Sequence, residues 1–445
     1  MPNTSKNKDL NIEVKYLTRV EGHGNIIARV KDGQLVDCRF EVVESPRFFE
    51  SMLVGRSIFE AQHITSRICG ICACGHTLAS IKAAEAAMDI KPSAQTVLLR
   101  ELLLHGEILD SHLLHFYILV APDLLGVKSV FPLVQTHRPV IEMALRLKKV
   151  SDTLCEILAG RHTHPISYVI GGLTKLPNEE SLNKIHKMLI EARKDFEASV
   201  EIFKTLKFPE FERPTQYASL VQKDNYAFLD GDIYVSSTKE KVDPQDYLKL
   251  VKEFNRDYST AKFTSIHDQS YAVGALARFN NSEKLLHPQA KKVAGELGLK
   301  APCANPYLNS VAQIVEWRHC LEKSVEIVEH LLKNGVNKEA SLVTSWPTEK
   351  NFKVKPGRGA GAVEVPRGVL YHDYTVDENG IITKANCIIP TGQNLFNLEN
   401  DMKKIVPELA GQNSSEEIEL KLEMLARAYD PCISCSTHLM KVEFI

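Results

Sequence analysis

Two pairs of cysteines near opposite ends of the chain carry the spacing of a metal site. The first lies in Arg67-Ile68-Cys69-Gly70-Ile71-Cys72-Ala73-Cys74-Gly75-His76, the second in Asp430-Pro431-Cys432-Ile433-Ser434-Cys435-Ser436-Thr437-His438. A C-x-x-C step lets two thiolates converge on one ion, and a neighbouring glycine or proline permits the sharp backbone this needs. Two steps together supply four thiolates, a donor set for soft or borderline metals. Spacing alone leaves three uses open: a structural zinc closed by four cysteines, an iron–sulfur cluster or redox dithiol, or another catalytic metal. Zinc ribbons place their pairs about 15–20 residues apart, whereas 359 residues lie between Cys72 and Cys432. A shared site must therefore be assembled by the fold. The other six cysteines, Cys38, Cys74, Cys155, Cys303, Cys320 and Cys387, have no partner at ligand spacing.

The elements that must bring the pairs together are legible in outline. Residues 12–43 are rich in β-branched residues, with Lys31-Asp32-Gly33 as a hairpin turn. From about residue 51 the pattern becomes helical. Residues 96–120 are apolar almost all round, as in a helix buried in a bundle. Residues 140–160 repeat Leu and Ile at helical spacing, and 181–206 are more amphipathic and charged. Residues 207–310 read as an excursion packed on that bundle. Helix returns over 311–334 and stops at Gly335. Residues 352–398 form a second β-rich stretch with a turn at Asp377–Gly380, and a last helical run within 415–438 delivers the second cysteine pair. The pattern predicts an α+β fold, mainly α: a long buried helix bundle with β-rich N-terminal and late C-terminal segments. Pairing of those two β-rich segments with each other would unite the cysteines.

Composition narrows the function classes. Across 445 residues, 44% are hydrophobic and 25% charged, the balance of a globular protein. A net charge of −2 draws the chain toward neither nucleic acid nor anionic lipid. No apolar run approaches the ~18 residues of a membrane span, and the polar amino end has no secretory or twin-arginine signal. The expectation is a soluble, cytoplasmic protein with reduced thiols.

The two cysteine motifs read as R-x-C-G-x-C-x-x-x-H and D-P-C-x-x-C-x-x-H, and as such they resemble the signatures of the [NiFe]-hydrogenase large subunit. Arg19-Val20-Glu21-Gly22-His23, Pro46-Arg47-Phe48-Phe49-Glu50, Glu364-Val365-Pro366-Arg367-Gly368 and Ile389-Pro390-Thr391 are similar to four shorter motifs of the family, in the family's order. Together they span residues 19–438, so the resemblance implies one large-subunit domain over residues 1–445. A related complex I subunit shares the fold but lacks the four cysteines, which this chain keeps.

The resemblance implies roles residue by residue. Cys69 and Cys432 would be terminal thiolates on nickel, with Cys72 and Cys435 bridging nickel to an iron that carries carbon monoxide and cyanide. Pro366, Arg367, Leu370 and Thr391 would shape the pocket of those ligands, the Thr391 hydroxyl bonding a cyanide. His76 would donate to a bridging sulfur. Asp110 and Asp430 would hold the Arg367 guanidinium, although Ser111-His112 stands where an Asp-His pair is expected. The reaction would be reversible heterolytic cleavage of dihydrogen, with Glu21 taking the proton from Cys432. Glu50, His438 and the backbone carbonyl at Cys387 would bind a structural magnesium. His112, His115, His162 and His164 read as core or surface histidines, Cys74 as a non-ligand and Arg67 as solvated or capping.

Two further expectations come from the resemblance. In much of the family the chain is cut after the histidine of the second motif, here releasing residues 439–445. The P-R-F-F-E and D-P-C-I-S-C-S segments are most like cytoplasmic, bidirectional hydrogenases. Neither a G-x-G-x-x-G motif nor another cysteine set able to hold a cluster is present, so electrons would leave through an iron–sulfur small subunit, with flavin or iron–sulfur subunits beyond it. The competing reading is a non-catalytic, zinc-structured scaffold of a complex I-like assembly.

Overall fold

Alternation of buried Leu10, Ile12 and Val14 with exposed Asn11 and Glu13 makes the first segment, β1 (Leu10–Val14), a half-buried strand. It pairs antiparallel with β2 (Gly24–Lys31), which pairs with β3 (Gln34–Val42). The β2–β3 turn is Asp32-Gly33, both at positive φ (50° and 76°), the conformation that two-residue hairpins require. The computed structural model describes residues 9–345, 347–348, 352–411 and 413–438.

After short helical turns at Phe49–Leu53 and Ala61–Thr65 comes the first long helix, α1 (Ala73–Met88), whose first turn carries the end of the first cysteine motif. Ser93 caps α2 (Ala94–Leu114) by accepting from the Thr96 N–H at 3.1 Å. Sequence periodicity predicts one helix over 96–120. Instead the α-helical register changes to a π-helical turn over His115–Val120. At this point the His115 ring nitrogens meet Gln313 Oε1 at 2.5 Å and the Arg427 carbonyl at 2.8 Å. Next come α3 (Arg138–Ala159), closed by Gly160 in the left-handed region, and α4 (Glu179–Thr205), opened by a reciprocal cap between Asn178 and Ser181.

The stretch read as an excursion holds more structure than expected. Strands β4 (Gln216–Val221), β5 (Asp232–Val235), β6 (Glu240–Val242) and β7 (Tyr271–Ala272) form a sheet in the order β7-β4-β5-β6, followed by the short helix α5 (Ala275–Ser282). Helix α6 (Asn309–Asn334) then packs against α2 and α4, and α3 against α2 and α4, to give the bundle. Trp317 of α6 lies flat on Phe196 of α4, ring centroids 4.8 Å apart, while its indole N–H donates to the Leu109 carbonyl of α2.

A second antiparallel sheet follows: β8 (Gly357–Val365), β9 (Gly368–Val376) and β10 (Ile382–Ile388). The β-rich stretch predicted to run to 398 ends at Ile388. Pro390 starts α7 (Pro390–Ala410), at the helix position where a missing N–H costs nothing. Helix α8 (Ser415–Ala428) is capped by Ser414 and leads into the second cysteine motif. The two β-rich ends do not pair with each other; they belong to separate sheets. What lies across β8 is α1, whose alanines let helix and strand backbones touch. A Cβ on Gly361 would stand 2.3 Å from the Ala79 carbonyl oxygen, so only glycine fits there. The fold is α+β and mainly helical, as expected, but its β8–β10 sheet serves as a seat for α1.

A four-thiol centre as candidate metal site

The first cysteine pair is shaped by the start of α1. Cys72 precedes its first residue, and Cys69 Sγ accepts from the backbone N–H groups of Ile71 (3.2 Å) and Cys72 (3.3 Å). The second pair sits beyond α8, where Asp430 adopts positive φ and Cys432–Cys435 turn through one short helical loop. All four sulfurs are buried and lie within 4.8 Å of one another. Cys69 and Cys432 approach to 3.5 Å, Cys72 and Cys435 to 3.9 Å. The spatial gathering expected from the motifs is present. Six other cysteines, Cys74 among them, stand outside this group.

So many sulfurs in a dry pocket cannot all ionise without a compensating cation. Hydrogen bonds from the Cys432, Cys435 and Cys72 thiols hold the Cys69 thiol well below its usual range. Burial pushes Cys432 and Cys435 well up. Four convergent thiols, free of disulfides, fit a soft metal centre, because a bound ion stabilises each deprotonated sulfur.

Glu21 reaches the centre from the β1–β2 connection. Its Oε2 accepts from the Cys432 thiol at 3.1 Å and from the Ser434 N–H at 3.1 Å, and its carbonyl accepts from the Ile433 N–H at 2.9 Å. Gly22 makes this approach possible: its φ is +85°, and a Cβ there would stand 2.7 Å from the Ser434 nitrogen. On the outer side, the Ser434 hydroxyl donates to the Glu44 carboxylate at 2.9 Å, and that side chain is 25% exposed.

Arg367 enters from the turn between β8 and β9 and is buried. Its Nε donates to the Asp430 carbonyl at 2.7 Å and Nη2 to Asp430 Oδ1 at 2.8 Å; Nη1 lies 3.4 Å from the Ser111 hydroxyl. Asp430 therefore takes its expected place. Asp110 does not: its carboxylate meets Lys148 Nζ at 2.7 Å, on the α3 side of α2. Consecutive helix residues point about 100° apart, so when Ser111 faces Arg367, Asp110 cannot. Thr391, at the start of α7, accepts the Cys432 N–H at 2.9 Å, which leaves its own hydroxyl hydrogen to donate elsewhere. Pro366 and Leu370 are buried beside Arg367 in sequence.

His76 is buried, held down to about 3 by burial and so neutral. Its Nδ1 lies 3.0 Å from His372 Nε2, while Nε2 has no protein partner. His372 continues to the Tyr374 hydroxyl (2.6 Å) and that to Ser80 (3.0 Å). His438 is buried near Phe49, and neither ring nitrogen has a hydrogen-bond partner among the described residues. Glu50 accepts the Cys387 N–H at 2.9 Å and faces Lys262 Nζ at 3.3 Å, beside Glu253 and Asn386. A carboxylate and an imidazole suit a hard cation, but the Lys262 ammonium occupies the Glu50 oxygens, and no third His, Cys, Asp or Glu among the described residues groups with Glu50 and His438 at ligand distance. Residues 439–445, the segment expected to be released, lie outside the described residues. His112 and His115 are buried and hydrogen-bonded, as read from the sequence, and Arg67 is exposed.

Three positioning side chains carried no role in the sequence reading. Arg47 donates to the carbonyls of Ile68 (2.6 Å), Arg67 (3.0 Å) and Ser434 (3.4 Å), stapling the two cysteine loops together. It was visible only as part of a short motif. Glu107 of α2 accepts the N–H groups of Cys74 (2.7 Å) and Gly75 (3.1 Å), capping α1 just beyond Cys72, and burial pushes it up to about 8. Glu316, from α6, faces His112 at 2.8 Å. Nothing local in the sequence marks those two glutamates.

With this geometry in hand, the known proteins most similar to the chain are informative. The family model described as nickel-dependent hydrogenase matches residues 47–137 and 204–438. The alpha subunit of sulfhydrogenase 1 from Pyrococcus furiosus is 32% identical, covering 98% of this chain and 100% of that protein. One subunit of an F420-non-reducing hydrogenase from Methanothermobacter marburgensis is 32% identical over 96% of this chain and 94% of its own length. Among solved structures, an NAD+-reducing [NiFe]-hydrogenase in its H2-reduced state superposes with a TM-score of 0.85 at 28% identity, covering 96% of this chain and 99% of that one.

Proposed function

The chain belongs to the nickel-dependent hydrogenase family and is a hydrogenase catalytic subunit, and on that premise we propose how its residues divide the work. Cys69, Cys72, Cys432 and Cys435 would hold a nickel–iron centre, Cys69 and Cys432 as ligands of the nickel and Cys72 and Cys435 as ligands shared with the iron. Pro366, Arg367, Leu370 and Thr391 would line the pocket for carbon monoxide and cyanide on the iron. When bound, that centre supplies heterolytic cleavage of dihydrogen, and its reverse.

The protein's part is to place the proton. The Cys432 sulfur carries it, and Glu21 Oε2, at 3.1 Å, receives it. This contact is the observation on which the reading stands. A carboxylate within hydrogen-bond reach of one ligand sulfur, held there by the Ser434 N–H, stands where it can take up a proton from that sulfur. Beyond Glu21, the partly exposed Glu44 offers the next acceptor toward water. Arg367, fixed by Asp430, presents a buried positive charge to the thiols without competing for the proton, since a guanidinium stays protonated. Glu50, His438 and the backbone at Cys387 bind a magnesium ion that ties the end of the second motif to the N-terminal part.

Electrons leave through an iron–sulfur small subunit. In support, the only grouping of three or more His, Cys, Asp or Glu with ligand geometry among the described residues is the four-thiol centre itself. The chain works in the cytoplasm with further flavin or iron–sulfur subunits. No described helix is long and apolar enough to cross a membrane.

Infrared spectroscopy of the natively purified complex tests the reading. One carbonyl band with two cyanide bands is the expected result. Absence of those bands, with zinc found by elemental analysis, overturns it in favour of a structural four-cysteine site.

A further inference from the structure

The middle of the chain, read from sequence as an excursion on the bundle, delivers one side chain to the turn that carries Arg367. Arg278 lies one turn into α5 and is fully buried. Its Nε and Nη2 grip Glu316, both at 2.7 Å, in a bidentate pair. Nη1 donates to Glu364 Oε2 at 2.7 Å and to the Val365 carbonyl at 3.0 Å, and Nη2 also donates to the Pro366 carbonyl at 3.1 Å. Every nitrogen of the guanidinium is thus engaged. The acceptors on one side are three consecutive residues, 364, 365 and 366, that lead directly into Arg367.

The opposite side of the clamp is equally fixed. Glu316 also accepts from the Tyr226 hydroxyl at 2.6 Å and faces His112 Nε2 at 2.8 Å, so its carboxylate is saturated. Glu364 Oε1 accepts the Leu220 N–H of β4 at 2.7 Å. Phe228 lies under the guanidinium, 5.5 Å from ring centroid to Cζ, and its carbonyl accepts the Glu364 N–H. The residue before α5, Gly274, sits against the Arg367 carbonyl, where a Cβ would stand at 3.2 Å. A planar fork that meets acceptors in two directions at once holds orientation as well as position, which a lysine ammonium cannot do.

We propose that Arg278 is a positioning residue for the hydrogenase reaction: clamped to Glu316, it fixes the Val365–Pro366 backbone and thereby the direction in which Arg367 faces the four thiols. The inference rests on the hydrogenase reading and goes beyond it. It assigns a role to a residue outside every metal-binding motif, in a region of the chain whose sequence offered none. Arg278 does not bond the thiols; it meets the pocket wall only at the Pro366 backbone carbonyl and acts through Pro366 and Arg367.

The test uses the natively purified holoenzyme with Arg278→Lys, and with Arg100→Lys as a control. Arg100 is equally buried in a bidentate pair with Glu85 (2.8 and 2.6 Å) but bonds none of the residues around the thiols. The expected result for Arg278→Lys is unchanged nickel content, displaced cyanide stretching bands, an altered pH profile of hydrogen–deuterium exchange and a ~100-fold loss of turnover at similar hydrogen affinity. Arg100→Lys loses thermal stability and keeps the wild-type bands and profile. Bands and profile of Arg278→Lys identical to those of Arg100→Lys overturn the positioning role and leave the hydrogenase reading intact. Wild-type complex without carbonyl and cyanide bands overturns the parent reading and this inference with it. Should Arg278→Lys not fold, Glu364→Gln decides by the same criterion: it removes one anchor of the clamp, and displaced cyanide bands support the role while wild-type bands overturn it.

Discussion

At the residue scale, the chemistry depends on contacts that the linear order hides. Glu21 stands 411 positions from Cys432 and yet accepts its thiol proton. Glu21→Gln keeps the size and the Ser434 contact but cannot take up a proton. Its expected effect is a loss of hydrogen–deuterium exchange of at least ~100-fold with the infrared bands of the centre unchanged; full exchange activity would remove Glu21 from the proton route. The cysteines, Glu21, Arg367 and Thr391 were all legible as candidates because dense motifs name residue types at set spacing. Asp110 was misplaced because a motif names the neighbourhood and not the helix face. Only when the rotation of α2 is known does Ser111 take the place beside Arg367, with Asp110 turned to Lys148.

At the element scale, the site stands on α1 and on the β8–β9 turn, and both are held by unusual closeness. The glycines of β8 let α1 lie directly on the strand, so a side chain there must displace backbone. Gly361→Val would put its Cβ against Ala79 O and Ala83 N, and Lys82 Cβ lies just behind them. The expected cost is more than about 3 kcal/mol, with a matching fall in the unfolding midpoint; an unchanged midpoint would mean that α1 is free to shift. Helices α2, α3, α4 and α6 were legible from apolar spacing, and Gly335 marked the end of the last of them. Helix α7 was not, because Pro390-Thr391-Gly392 reads locally as a turn. Proline at a helix start is compatible with both outcomes, and it is the burial of Leu395, Leu398 and Met402 that decides.

At the scale of the whole molecule, distant segments are drawn together by charged side chains. Arg47 spans the carbonyls of both cysteine loops, so Arg47→Ala is expected to lower the nickel content per chain while the helical circular dichroism stays constant. Full nickel occupancy in that variant would show that the loops meet unaided. Stability should also carry a pH signature. Burial holds His76 and His319 at about 3 and His438 at about 4, against an ordinary value of 6.5. Below 6.5 the unfolded chain binds protons that the folded chain refuses, so stability is complete above 6.5 and is lost as pH falls toward 3. The unfolding temperature should therefore drop steadily across that window. His319→Gln, which still accepts the His287 N–H, should flatten the drop. Glu107, held near 8, works in the opposite sense, and its part of the stability declines as pH rises from 4.5 toward 8.

The sequence by itself determined the donor set, the family, and the helix bundle between two β-rich ends, because each rests on local spacing: thiols at C-x-x-C, and apolar residues at the helix or strand period. Only the tertiary structure decided what unites the cysteine pairs. It is not a shared sheet but Arg47, whose guanidinium donates to carbonyls of both cysteine loops. It also decided which face of α2 meets Arg367, and that the middle of the chain supplies Arg278. Buried charges such as Arg278, Glu316 and Glu364 are stable only when each meets its partners. Those partners come from α2, α5, α6 and β8, so no window of the sequence contains the reason for any one of them.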